Sequence, residues 1–241
     1  KDINTYTRSV APDNLRYDKF LKGYEPNANF KPTVTRGLAE EYLQLLANRS
    51  ELHRTFSSLA LPQGNTEVLE PPIRPVSPEL LRPLLQAARE QQRLEVDYVS
   101  LNNPNREGRI IAPHTLVWTG LRWHVRGWCE KNQGFRDFVL SRFRGIPELL
   151  GAATQCSDDD QDWHRTIELT LKPDPRLSQT QQDVVATDFA MNEGQLQVHV
   201  RARLASYLLQ LLNIHTGEPL PDPKAQQVII DNRADVEDWL F

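Results

Sequence analysis

The chain has 241 residues and a formal net charge of −4, with 39% hydrophobic and 25% charged residues, the proportions of an ordinary soluble globular protein. That length suits one large or two to three small domains, and no apolar run approaches the ~20 residues that a membrane helix needs. Cys129 and Cys156 fall in no CxxC spacing, which argues against a disulfide scaffold or a zinc site; with no signal-peptide pattern, the expected compartment is the reducing cytoplasm.

Residues 1–11 read as the tail of a helix, with Ile3, Tyr6 and Val10 as its apolar stripe and Asn4, Thr5 and Arg8 on the opposite face. The only methionine is Met191, so Lys1 is not a native start, and further helices are expected ahead of it. Leu15–Tyr17 and Leu21–Tyr24 alternate around a tight connection, a hairpin signal. Helix followed by basic hairpin is the second half of a winged helix-turn-helix. In 1–24 the bases Lys1, Arg8, Arg16, Lys19 and Lys22 exceed the acids Asp2, Asp13 and Asp18. Placement gives that small excess its meaning: the helix would read the major groove and the hairpin would grip phosphate. The candidate DNA contacts are Asn4, Thr5, Arg8, Arg16, Lys19 and Lys22.

After Phe30–Val34, Thr35 is placed to cap a helix striped by Leu38, Tyr42, Leu45 and Leu46. Residues 61–78 carry Pro62, Pro71, Pro72, Pro75 and Pro78, a density that denies helix and ladder alike and reads as a linker or draped arm. Ser77-Pro78-Glu79 then opens a helix with a cap, a first-turn proline and a dipole-favourable acid; its stripe is Leu80, Leu84 and Ala88.

A β-module follows, with strands expected over Leu94–Ser100, Arg109–Thr119, Leu121–Glu130 and Phe135–Arg142, a tight Thr119-Gly120 hairpin, and a short strand in Phe143–Leu150. Residues 97–145 are cationic: Arg106, Arg109, Arg122, Arg126, Lys131, Arg136, Arg142 and Arg144 stand against Asp97, Glu107, Glu130 and Asp137, a local charge of +4 inside an acidic chain. Local field decides what a concave surface attracts, so the module points to an anionic ligand. Residues 154–162 read as an acidic, solvated connector and a domain boundary; Asp158–Asp160 lack the glycine and glutamate of an EF-hand, and no metal or cofactor is called for. Beyond it, strands at Thr166–Leu171, Gln195–Arg203 and Val228–Ile230 alternate with helices at Gln179–Ala186 and through Leu204, Leu208, Leu211, Leu212 and His215, a small α+β sandwich ahead of an acidic tail with Trp239 and Phe241.

With LRWHVRGWCE, REGRIIAPHTLV and FRDFVLSRFRGI in that neighbourhood, the chain resembles WYL-domain transcriptional regulators, Trp123-His124-Val125 standing where the name motif has Trp-Tyr-Leu. It looks closest to the repressors beside phage-defence islands such as BREX and CBASS. The resemblance implies an α+β multidomain fold: part of a winged helix (1–30), a helical connector with the proline-rich arm (31–93), a small Sm-like β-barrel WYL module (94–153) and a C-terminal α+β dimerisation module (163–241). It also implies a homodimer on a double-stranded, inverted-repeat operator, with the WYL module sensing a nucleotide or oligonucleotide. Candidate ligand residues are Ser100, His114, Trp123, Arg126, Arg136 and Arg142: guanidinium forks suit phosphate, and Trp123 and Trp128 could stack bases.

The plainer reading pairs the arginines with Asp97, Glu130 or Asp137 and puts the tryptophans and His114 in the core. Enzyme motifs such as GxSxG, HExxH, a Walker loop or GxGxxG do not occur, and Cys129 has no activating partner in sequence. A single-stranded nucleic-acid-binding accessory module of a defence enzyme stands as the alternative function.

Overall fold

A computed structural model describes residues 2–33, 35–55, 65–69, 72 and 74–240. The chain divides into two compact units, residues 1–71 and 72–241.

In the first unit, helix α1 (Asp2–Thr5) runs on as a π-helical turn over Tyr6–Val10 and stops ahead of Pro12. Strands β1 (Leu15–Asp18) and β2 (Gly23–Pro26) pair antiparallel, with Arg16 opposite Glu25 and Tyr17 opposite Tyr24. The second strand starts two residues later than the alternation suggests. The Asp18 carboxylate accepts the Phe20 and Leu21 amides at 2.7 and 2.8 Å, and Lys22 takes a left-handed φ of 49°, so the turn absorbs both Leu21 and Lys22. Helix α2 (Ala39–Thr55) begins past Thr35; the Glu41 carboxylate accepts the Arg36 and Leu38 amides at 3.1 Å and terminates the helix in place of a threonine cap. Of the proline-rich arm, Pro62 and Pro71 lie outside the described residues, while 65–69, 72 and 74–77 run without helix or strand.

The second unit opens with α3 (Pro78–Glu90), capped as its sequence suggests: Ser77 Oγ accepts the Leu80 amide at 3.3 Å and Gln91 closes the helix in the left-handed region. Its buried stripe ends on Ala87, not Ala88, because i, i+4, i+7 spacing holds one face of a 3.6-residue helix. α3 packs on a five-stranded sheet of order β6-β5-β4-β3-β7, built from β3 (Gln92–Tyr98), β4 (Glu107–Trp118), β5 (Trp123–Cys129), β6 (Gly134–Val139) and β7 (Phe143–Ala152). Leu80, Leu84 and Ala87 close over Leu94, Val96, Tyr98, Ile111, Val125, Cys129, Phe138 and Phe143.

Two expectations change here. β6 ends at Val139 and not Arg142, because Leu140–Arg142 form a 3-10 turn that carries the chain across to β7. The expected barrel is not closed: β6 and β7 are the two edges of the sheet and do not pair with each other.

The C-terminal part holds a three-stranded antiparallel sheet of order β10-β8-β9, from β8 (Thr166–Pro173), β9 (Leu196–Arg201) and β10 (Val228–Ile230). Helices α5 (Gln179–Asp188) and α6 (Ala205–Leu211) cover it, around Leu169, Leu171, Val185, Leu209 and Val228. The connector is not simply solvated. Ser157–Asp159 make a 3-10 turn, and Asp160, 2% exposed, caps the short helix α4 (Gln161–His164); only Asp158 and Asp159 of the acidic run face solvent.

Candidate functional site

In the first unit Asn14 ties the helix to the hairpin. It is buried; its amide donates to the Tyr6 hydroxyl at 2.7 Å and to the Lys31 carbonyl at 2.5 Å, while its side-chain oxygen accepts the Lys31 amide at 3.0 Å. Its backbone carbonyl takes the Asn27 amide at 2.8 Å, so this one residue, by side chain and main chain together, ties the end of the hairpin to Tyr6 on the π-helical turn. That leaves Asn4, Thr5 and Arg8 exposed on the helix, with the Asn4 side-chain oxygen 3.5 Å from the Tyr24 hydroxyl. Lys19 and Lys22 flank the hairpin tip, where Phe20 is 98% exposed. Arg16 is held across the hairpin by Glu25 at 3.0 Å, a surface pair weak enough for a phosphate to compete with.

In the WYL sheet the sequence candidates fall into two groups. Ser100, Trp123, Arg136 and Arg142 keep solvent access. Trp123 and Trp118 sit across the β4–β5 ladder with ring centroids 5.3 Å apart, each nearly half exposed. Trp128, by contrast, packs edge-on to Phe135. Ser100 turns its hydroxyl to the Asn103 amide at 3.0 Å, and the Arg142 carbonyl accepts the Val99 amide, which puts Ser100 and Arg142 at one end of the sheet. Among the described residues the exposed Arg136 guanidinium donates to its neighbour's carbonyl, at 2.8 Å, and has no carboxylate partner. Among the described residues neither Arg142 nor Arg122, beside the tryptophan pair, has a carboxylate partner.

Arg126 and His114 form the second group, and neither faces solvent. Arg126 is 2% exposed; its Nε and Nη2 donate to the two Asp160 oxygens at 2.6 and 3.0 Å, and its Nη1 donates to Asp137 at 3.1 Å. His114 Nε2 lies 3.2 Å from the same carboxylate, and the Trp163 amide donates to it at 3.2 Å. Burial works against the charge on Asp160, but Arg126 outweighs it and holds the carboxyl below its ordinary range.

A bulge aims His114 at this point. The β4–β5 register slips between Pro113 and Thr115, so His114 is the extra residue. Gly127, opposite, allows the close approach: a Cβ there would come within 2.5 Å of the Ala112 carbonyl oxygen. The salt-bridge reading of Arg126 with Asp137 therefore holds, and sequence reasoning missed Asp160, Trp163, Trp118 and Arg122. A proline and a glycine facing each other on central strands were the available signal for the bulge.

The same face of the sheet carries His124, 1% exposed, its ring 5.0 Å from that of Tyr207 on α6 and its Nδ1 without a hydrogen-bond partner among the described residues. Tyr207 reaches Asp137 at 3.4 Å. Burial, reinforced by the Arg122 charge, pushes His124 down to about 4. The folded protein thus holds the neutral ring, and its contribution to stability is complete above the unfolded value of about 6.5 and is lost as pH falls from there toward 4. The loss reaches about 2 kcal/mol by pH 5, and His114, lowered chiefly by burial, shifts the same way. The urea midpoint should fall between pH 7 and pH 5, and most of that fall should vanish in His124→Phe. An identical fall in the variant would show that His124 is not the titrating group.

Three family models match the chain: the BrxR transcriptional regulator winged helix-turn-helix domain over 1–48, the WYL domain over 79–147, and the BrxR transcriptional regulator C-terminal dimerization domain over 166–236. The DNA-binding transcriptional repressor CapW of Stenotrophomonas maltophilia is 30% identical over 246 residues, covering 99% of this chain and 80% of that protein. The protein of the same name from Pseudomonas aeruginosa is 31% identical over 246 residues, with the same coverage. That from Escherichia coli strain KTE188 is 31% identical over 238 residues, covering 98% of this chain and 78% of its own. With all its matched segments in the order of those regulators, the chain belongs to the CapW and BrxR family of WYL-domain transcriptional regulators.

Proposed function

We propose that this protein is a homodimeric DNA-binding transcriptional repressor, acting at a phage-defence locus, whose WYL module senses an anionic nucleotide or oligonucleotide. The observation that carries the reading is the exposed set Asn4, Thr5 and Arg8 beside a hairpin tipped by Lys19 and Lys22, in a chain of that regulator family. Helix residues would read base edges in the major groove, and the hairpin lysines and Arg16 would hold phosphate. In this reading 1–30 contact DNA, 31–93 connect, 94–153 sense and 163–241 dimerise. Two-fold symmetry of the dimer implies an inverted repeat, with half-sites one helical turn apart or a multiple of it.

For the ligand, Trp123 backed by Trp118 offers a stacking face, and Arg142 and Arg136 offer forks for phosphate, with Ser100 at the Arg142 end of the sheet. Ligand and operator are linked through the arrangement of the dimer, so a ligand that favours one arrangement changes operator affinity. Arg142→Ala is expected to hold operator affinity within about twofold while abolishing the response to added oligonucleotide; a transcriptional reporter and a binding titration read the two separately. A correctly folded Arg142→Ala that loses operator binding would contradict a two-site regulator.

A further inference from the structure

The Arg126–His114 site already holds an anion, and that anion comes from outside the sheet. Both oxygens of the Asp160 carboxylate are taken by the Nε/Nη2 edge of Arg126, with His114 Nε2 and the Trp163 amide as further partners. The indole of Trp163 lies against the guanidinium, 5.9 Å from its centre, and 6.0 Å from the His114 ring. The guanidinium fork of Arg126 and the His114 imidazole, both on the sheet, are groups that bind phosphate, while the Trp163 amide and ring belong to the same connector as Asp160. The sheet supplies Arg126 from β5 and His114 from the β4 bulge, and it carries one counterion of its own, Asp137. The second counterion, Asp160, lies on the connector that leads into β8.

We propose that Asp160 is an intramolecular stand-in for a ligand phosphate, which binds Arg126 and His114 by displacing the carboxylate and so frees the connector between the WYL sheet and the C-terminal sheet. This rests on the ligand-sensing reading above and gives it a mechanism. With Asp160 seated, Arg126 and His114 are closed off; with a phosphate in its place, the segment 157–164 loses the anchor that holds it to β5. The signal then runs along the chain into the three-stranded sheet. The expected occupant is a nucleotide or a short single strand, since His114 on the β4 bulge and Phe135 on β6, with ring centroids 5.7 Å apart, stay with the sheet and provide ring faces beside the phosphate position.

A 5′-phosphorylated thymidine tetranucleotide serves as the probe, with the full-length protein in calorimetry and amide hydrogen exchange. Asp160→Asn keeps the shape of the side chain and removes its charge, so the seated state no longer competes and the probe should bind about 10-fold more tightly than to the parent protein. In the parent protein the probe should lower amide protection across 157–164. Asp160→Asn that is folded and binds no more tightly overturns the proposal, as does a bound probe that leaves 157–164 fully protected. The second readout decides alone should the variant not fold. A probe that binds neither protein removes the ligand-sensing reading and the proposal with it, whereas binding without release of the connector removes the proposal only.

Discussion

Replacing Arg126 with alanine is expected to lower the unfolding free energy by about 3–5 kcal/mol, because it leaves two carboxylates in a dry interface without their cation. Asp160 is 2% exposed and Asp137 is largely covered, so neither recovers much hydration when the guanidinium is removed. A loss of that size is a large part of the roughly 5–15 kcal/mol that a domain typically has. Urea denaturation followed by tryptophan fluorescence reads it, since the buried Trp163 ring lies 5.9 Å from the Arg126 guanidinium. The double variant Arg126→Met, Asp160→Leu should recover the part of the deficit that comes from Asp160, as an apolar pair there needs no compensating charge, while Asp137 stays without its cation. A drop below 1 kcal/mol for Arg126→Ala would mean that water reaches the pair and that the connector is not anchored there.

Arg8→Ala should reduce affinity for the operator by about 10- to 100-fold while changing binding to unrelated DNA much less, the mark of a lost base contact worth ~1–3 kcal/mol. Lys22→Ala should behave differently. It should weaken binding to every duplex alike and reduce the slope of log affinity against log salt by about one unit, because a phosphate contact releases a counterion and carries no sequence information. Arg16→Ala should have a smaller effect than Lys22→Ala, since Glu25 already holds its guanidinium at 3.0 Å. Titrations of the three variants at several salt concentrations, on specific and scrambled duplexes, separate these outcomes. Equal losses on both duplexes for Arg8→Ala would take it out of the reading helix.

What could be read from the sequence was what neighbours decide. The Ser77-Pro78-Glu79 start of α3, the β1–β2 hairpin and the strand order around Thr119-Gly120 depend on local chemistry, and their positions hold to within a few residues. Boundaries failed where a distant partner set them. β6 gives way to a 3-10 turn at Leu140 because β7 must cross the sheet to pair with β3, which the alternation of Phe135–Arg142 does not register.

The site shows the same division. Arg126 opposite Asp137 is a cross-strand pair, and the acid is among the partners its composition suggested. Asp160 stands 34 residues further along in an acidic run that looks solvated, and only the folded chain brings it to Arg126. The helix at the start of the chain was legible in the spacing of Ile3, Tyr6 and Val10, but its apolar stripe was not, since Ile3 and Val10 stay exposed and Tyr6–Val10 wind as a π-helical turn. Asn14, which holds that helix to the hairpin, was not, since a lone asparagine before a strand reads as turn chemistry.

Recognition of a particular DNA sequence by this chain can be read in an electrophoretic shift: full-length protein on the DNA upstream of its own gene, at physiological salt, with unlabelled specific and scrambled competitors. A discrete shift that survives scrambled competitor and disappears with the specific duplex is the predicted result. Retardation that both competitors remove equally, or none at all, would contradict the repressor reading and make single-stranded nucleic acid at the WYL sheet the primary partner.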